Sequence, residues 1–412
     1  MKPGRMQAVV LPAFTASCAA GVGLQALAVA VAEQRSGLRP LADPATPLAT
    51  WVGRVDALVQ APLPPALQAW DCRPTRLAWQ ALQQDGFAEA VAAARARWGA
   101  ARVGLVLGTS ASTIGDSEAA YRHLDADGGF PAGHRNPRLH TPHALAAFVQ
   151  QALALEGPAV TVSTACSSSA KAFASGERWL RSGVVDAVVV AGVEALSASL
   201  LYGFRALGLM SDAPCRPFDA RRQGISIGEA AGFALLQRAA GDPADATATG
   251  LRLLGYGESN DAHHMSTPHP QGLGAEAALD DALARAGLQA ADVDHVNLHG
   301  TASAANDDAE AALVARRYGP EVHAAATKGL TGHTMGAAGI VEAVLCLLAL
   351  QGRGLPGSAH TQAADPAFGP RFARQLRLQP APGRARVAAS HSFGFGGNNC
   401  VLLFGGAPGM SA

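Results

Sequence analysis

Three times in this chain an apolar run breaks into a turn of small residues, and each turn carries a reactive side chain. Val160-Thr161-Val162 reads as a buried strand, followed by Ser163-Thr164-Ala165-Cys166 and a helix start from Ser167 onward. Val293 to Leu298 reads as a second strand, with His299 at the tip of the turn that runs on to Ser303. Ala324 to Ala326 leads to a third turn with Lys328 and His333, followed by a Gly/Ala-rich helix. Turns at strand ends of this kind are where α/β folds place their sites. A thiol at a helix N-terminus meets unpaired N–H groups and the positive end of the helix dipole, so Cys166 is expected to have a lowered pKa. The placement alone fits a buried structural cysteine equally well.

Composition narrows the class. Of 412 residues, 49% are hydrophobic and 16% charged, with a formal net charge of +0. That is enough apolar chain for two core-sized units or one fused one. A neutral balance argues against nucleic-acid binding driven by overall charge. The cysteines at 18, 72, 166, 215, 346 and 400 show no Cys-x-x-Cys pair, so neither a disulfide framework nor a zinc site is expected. A reducing cytoplasm is the simple reading. Met6 to Leu11 reads as a strand and Gly21 to Ala32 as a helix, so the apolar N-terminus is taken as neither signal peptide nor membrane span.

The chain carries a weak two-fold echo. Gly232 to Gln237 reads as a strand, and Arg238 to Gly250 as a connection between halves, 1–243 and 244–412. Leu105 to Leu107 and Val160 to Val162 are strands of the first half; Leu251 to Gly255 and Val293 to Leu298 are strands of the second. In this reading Cys166 and His299 occupy comparable turns. Val184 to Glu194 reads as a fully buried strand, Ala275 to Ala286 and Val341 to Leu350 as helices with broad apolar faces, and Asp116 to Arg138 as irregular.

Four short segments, in order, carry a resemblance. They are Thr164-Ala165-Cys166-Ser167-Ser168, His299-Gly300-Thr301, Lys328 with Thr331-Gly332-His333, and Ser392-Phe393-Gly394-Phe395-Gly396-Gly397. Together they resemble the β-ketoacyl-(acyl carrier protein) synthases, condensing enzymes of the thiolase-like family. The segments around Cys166 and Asn398 are similar to ketosynthases of aryl polyene pigment clusters. The resemblance implies an α/β fold: a duplicated, αβαβα-layered thiolase-like unit with two mixed sheets. It implies decarboxylative Claisen condensation of a Cys166-bound acyl chain with malonyl-(acyl carrier protein), in fatty acid, polyketide or aryl polyene elongation. Cys166 would be the nucleophile, with His299 and His333 as neutral imidazoles donating to the enolate. Lys328 would orient the site, with Glu310 and Glu342 as its partners and Asp307 as a further candidate.

By the same resemblance, the N–H of Phe395 joins that of Cys166 as oxyanion hole, and the Phe395 ring gates the acyl pocket. Phe393, Gly396 and Gly397 are expected against substrate, and the hydroxyls of Thr301 and Ser303 against the pantetheine arm. No cofactor is expected, because substrates ride on the phosphopantetheine of the acyl carrier protein, and no metal: His263, His264 and His269 lack further ligands at metal spacing. Expected partners are that carrier protein and a second subunit, identical or ketosynthase-like, paired through strands such as Val184 to Val190. No nucleic acid and no membrane insertion is expected. Arg135, Arg138 and Arg205 are the candidates for carrier contact. Two departures stand beside the gate: Asn398-Asn399 where Thr-Asn is usual, and His391 where asparagine is common. A chain-length-factor-like subunit with little activity alone is the alternative. Such subunits typically lack the cysteine, which argues for the enzyme.

Overall fold

The computed structural model describes residues 6–406 except 8, 57–59, 61 and 239–248. The predicted connection over Arg238 to Gly250 therefore lies mostly outside the described residues. In chain order the strands are β1 (Val9–Cys18), β2 (Gly21–Val22), β3 (Leu38–Pro40), β4 (Trp51–Gly53), β5 (Val103–Gly108), β6 (Ala159–Val162), β7 (Ala187–Glu194), β8 (Ile227–Gly228), β9 (Ala230–Arg238), β10 (Leu251–Asn260), β11 (His295–Asn297), β12 (His323–Ala325), β13 (Val387–Gly394) and β14 (Asn398–Gly406).

One continuous eleven-stranded sheet results, with β2 on β1; it falls into two five-stranded mixed sheets, β6-β5-β7-β9-β1 and β12-β11-β13-β14-β10. Each half uses its strands in the order third, second, fourth, fifth, first. In each, the first three of that order are parallel and the other two antiparallel. Among the described residues the two are joined where Val9 and Val10 of β1 pair with Leu253 and Arg252 of β10. Strands β3, β4 and β8 form a small separate sheet.

The layering follows from side-chain pattern. Helix Ala338–Leu350 is apolar on every face except Glu342, and all of it is buried. Such a helix has no solvent side and must lie between two apolar surfaces. With helix Ser168–Arg181 it forms the middle layer, sharing one core with both sheets. A second core joins the first sheet to helices Arg73–Leu82, Phe87–Trp98 and Ala144–Ala152. A third joins the second sheet to helices Leu273–Ala286 and Ala304–Arg317. Gly108 shows how closely the middle layer packs: a Cβ there would stand 2.3 Å from the Ser169 nitrogen.

Several expectations need correction. β6 is an edge strand, and Val160 is 36% exposed rather than buried. β7 is buried throughout but interior, bonded to β5 and β9, so it cannot pair across a subunit interface. The Asp116 to Arg138 stretch is not irregular from its start, because helix Ile114–Arg122 runs into it. The first strand begins at Val9 and extends to Cys18, and the helix begins at Gly23. The echo also pairs different turns. Cys166 follows a third strand, and so do Lys328 and His333; His299 follows a second strand.

Candidate active site

The nucleophile turn is built by backbone strain and capping hydroxyls. Ala165 has φ +52°, a left-handed conformation that a non-glycine residue adopts at a cost of about 1 kcal/mol. Its neighbours support it: the Ser167 hydroxyl donates to the Thr164 carbonyl at 2.9 Å, and the Thr164 N–H donates to Ser168 Oγ at 2.9 Å. Cys166 is left at the start of helix Ser168–Arg181, 4% exposed. His333 is held from behind, its N–H donating to the Ser226 carbonyl at 2.7 Å and its carbonyl accepting from Gly228 at 2.9 Å. His299 follows β11, and the Glu310 carboxylate accepts its N–H and that of Gly300, each at 2.8 Å.

These elements bring together the four residues expected from sequence. Cys166 Sγ lies 2.9 Å from His333 Nε2, and the His299 and His333 rings are 5.4 Å apart and nearly perpendicular. The Phe395 backbone N–H bonds to the Cys166 sulfur. Lys328, 1% exposed, directs Nζ to the Glu342 carboxylate, the His299 carbonyl and His299 Nδ1, the last at 3.3 Å. Three acceptors match the three N–H bonds of an ammonium. With Nδ1 accepting, the neutral His299 ring carries its proton on Nε2.

Burial, then the Lys328 charge, hold both imidazoles well below the usual histidine range. The same burial pushes the Cys166 thiol up to about 11, against the opposing pull of Lys328 and the Phe395 N–H. The lowering expected at the helix N-terminus is not what results, because the charged form of a buried thiol loses its hydration. Resting Cys166 is a thiol next to a neutral imidazole.

The expected supports of Lys328 divide. Glu342 pairs with it, and its carboxyl is pushed up to about 7 by burial, partly offset by Lys328. Glu310 instead serves the His299 turn and accepts from His391 Nδ1 at 2.9 Å. Asp307 accepts the N–H groups of Phe218 at 2.7 Å and Ala302 at 3.2 Å. His391 was legible only as a departure. It is completely buried and bonds Tyr318 at 2.8 Å through Nε2, forming a Tyr318–His391–Glu310 chain behind His299. The signal available was Tyr318 itself, an aromatic hydroxyl ending a helix.

Cys166, His299 and His333 open onto a cavity of about 500 Å³ also lined by Thr301, Ser303, Phe393, Phe395 and Gly397. Thr301 Oγ1 and Ser303 Oγ lie 2.9 Å apart. Gly396, expected against substrate, turns away: its N–H donates to the Met265 carbonyl at 2.7 Å, and its carbonyl accepts from Asn260 at 2.8 Å. The Phe395 ring packs on Phe204 at 5.7 Å. Asn398 accepts from Lys171 at 3.2 Å, and Asn399 donates to Asp261 at 2.8 Å, so the unusual pair ties down the loop. The candidate carrier arginines are otherwise engaged: Arg135 with Asp125 and Arg205 with Asp212, each at 2.7 Å, while Arg138 stands over Trp70.

Ligand atoms of Cys166, His299 and His333 all lie within 4.8 Å of one another, a set that a thiophilic metal ion could address. The fit fails at His299. Lys328 occupies Nδ1, so Nε2 keeps its proton and acts as a donor, and an ammonium stands where a cation would be repelled. The arrangement therefore offers a nucleophilic sulfur, an adjacent imidazole, and N–H donors aimed at a carbonyl site. Among the described residues, no helix is long and apolar enough to cross a membrane.

Comparison with known proteins agrees with this geometry. Residues 74–241 match the β-ketoacyl synthase N-terminal domain, and residues 251–362 the C-terminal domain. Nodulation protein E of Rhizobium meliloti (strain 1021) is 34% identical over 313 residues, 74% of this chain and 76% of that protein. A chain of the ketosynthase (ApeO)–chain length factor (ApeC) complex of Xenorhabdus doucetiae superposes with a TM-score of 0.86. It is 36% identical, and the match covers 97% of this chain and 98% of that one. A β-ketoacyl synthase from Burkholderia phymatum STM815 gives 0.83 at 25% identity, with 98% and 100% covered. The chain belongs to the β-ketoacyl synthase family of condensing enzymes.

Proposed function

We propose that this chain is a 3-oxoacyl-(acyl carrier protein) synthase that condenses a Cys166-bound acyl chain with malonyl-(acyl carrier protein) in the cytoplasm. The observation that carries the reading is the buried Cys166–His333 contact at 2.9 Å, with His299 held as an Nε2–H donor by Lys328. An incoming acyl thioester is attacked by the Cys166 sulfur; the thiol proton leaves with the departing pantetheine sulfur, and His333 keeps its own. Malonyl thioester then enters past Thr301 and Ser303. The carbon–carboxylate bond breaks and carbon dioxide leaves. Its electron pair forms an enolate whose oxygen accepts from His299 and His333. The enolate carbon attacks the Cys166 thioester, and the resulting oxyanion accepts from the N–H groups of Cys166 and Phe395. Collapse releases the 3-oxoacyl product, and the Cys166 thiolate takes up a proton from solvent. Neutral imidazoles suit this step, since donors that keep their protons stabilise an enolate without quenching it.

Phe204, Phe393 and Phe395 give the cavity flat aromatic walls, which favours rigid unsaturated acyl chains and so polyketide or aryl polyene elongation. A dimer, with a like or a ketosynthase-like subunit, completes the proposal; the Xenorhabdus doucetiae relative is paired with a chain length factor. Reading this chain itself as a chain-length-factor-like subunit leaves Cys166, two tuned imidazoles and Lys328 without a task.

The test is mass spectrometry of wild type and Cys166→Ala with malonyl-loaded carrier and a panel of saturated and unsaturated acyl carriers, with and without a ketosynthase-like partner. Wild type is expected to gain acyl mass on Cys166 and to release a β-keto product two carbons longer, and the variant to do neither. No acylation and no product in any arm would sink the reading.

A further inference from the structure

The His333 turn is held at two ends, and the Ser226–Gly228 segment grips one of them. The other is held by Glu194, the last residue of β7, which is completely buried. Its carboxylate accepts the N–H groups of Ser110 at 2.6 Å, Ala111 at 3.0 Å and Gly336 at 3.0 Å, with the Thr109 hydroxyl at 3.3 Å. Ser110 and Ala111 follow β5 in the first half of the chain, and Gly336 stands three residues after His333 in the second. The segments are pressed together: a Cβ on Gly336 would come within 2.4 Å of the Ser110 nitrogen. Met335, between His333 and Gly336, has φ +52°, so the turn is strained and needs a partner to persist. Backbone N–H groups, not a cation, compensate the carboxylate. Without it those buried N–H groups would lack an acceptor, so the carboxylate ties the two segments together and sets where the His333 turn stands.

We propose that Glu194 is a positioning residue: its carboxylate fixes the His333 imidazole against Cys166 for the condensation step. This rests on the ketosynthase reading above. Glu310 does the same for His299, accepting the two N–H groups of that turn. Glu310 grips His299 by the histidine's own N–H, whereas Glu194 reaches His333 through Gly336, three residues along the same turn. Burial pushes the Glu194 carboxyl up to about 7, against the opposing pull of its N–H donors, so it changes charge where the enzyme works. Protonation replaces an acceptor with an O–H that faces N–H groups, and the turn loosens. Cys166 is the titratable group that feels its charge; elsewhere in the site Glu342 and Asp307 are also raised to about 7.

The experiment measures condensation kcat and KM, and separately the rate of Cys166 acylation, from about pH 6 to about pH 8.5 for wild type, Glu194→Gln and Glu194→Asp. Wild-type kcat is expected to fall on the acid side of about 7, where Glu194 takes up its proton. Glu194→Gln should lose about 100-fold in kcat and lose that acid limb, with KM for the malonyl carrier and the acylation rate each within about 3-fold of wild type. Glu194→Asp, which keeps the charge but reaches less far, should fall between and retain the limb. Retention of wild-type kcat and limb in Glu194→Gln overturns the proposal. So does a parallel collapse of kcat, acylation and thermal stability, which marks a residue that only holds the fold. Should neither variant fold, a wild-type kcat that is flat across this pH range overturns it, and a limb that survives in Glu342→Gln supports it. A wild type that makes no product in any arm overturns the ketosynthase reading, and this inference with it.

Discussion

Lys328 is the residue on which the site's electrostatics converge, since one ammonium touches His299 twice and neutralises Glu342. Lys328→Met should leave the Glu342 carboxyl buried without its cation and release His299 Nδ1. We expect a stability loss of about 3–5 kcal/mol in a denaturant titration, together with loss of condensation. Adding Glu342→Leu should recover much of the stability and none of the activity, which separates the two duties of the lysine. The four reactive residues were legible because each sits in a short motif at a strand end. Their supports were less legible. Asp307 and Glu310 lie one turn apart near the start of one helix, and nothing in their spacing says that they face backbone N–H groups rather than Lys328. The thiol of Cys166 was misjudged for a physical reason. A helix start is visible in a sequence, whereas complete enclosure by segments more than a hundred residues away is not.

Helix Ala338–Leu350 was read well because its pattern is uniform. The buried strand read from Val184 begins only at Ala187, with Val184 exposed, and other elements were read poorly where tertiary position decides exposure. Val160 to Val162 is as apolar as an interior strand, yet β6 has one neighbour, and the reading of it as buried missed an edge. Helix Ile114–Arg122 escaped notice because Gly115, Asp116 and Ser117 at its start look like a turn. The close contact of β5 with the helix that follows Cys166 gives a direct prediction. Gly108→Ala would put a methyl 2.3 Å from the Ser169 nitrogen. The expected cost is about 1–3 kcal/mol, seen as a lowered Tm, with slower alkylation of Cys166 by iodoacetamide as its helix start is displaced.

At the scale of the molecule, the proposed dimer needs an edge, and β6 supplies one. Leu105 N–H donates to the Pro158 carbonyl and Thr109 N–H to the Val162 carbonyl, so even-numbered residues of this segment bond inward to β5. Thr161 then turns its N–H outward. Thr161→Pro should remove an outward donor without breaking β5–β6 pairing, and sedimentation should show wild type as a dimer and the variant as a 41.9 kDa monomer. An unchanged dimer would place the interface elsewhere. The repeated strand order makes the duplication plain in three dimensions, although the sequence shows it only as an echo that paired the wrong turns. The two middle helices belong to both sheets at once, so neither half owns its interior. Produced as separate chains split between β9 and β10, the halves should be insoluble alone and soluble only when made together. The duplication is thus locked in: a substitution beneath the Cys166 helix reaches His333 sooner than it reaches solvent, and the two copies can change only in step.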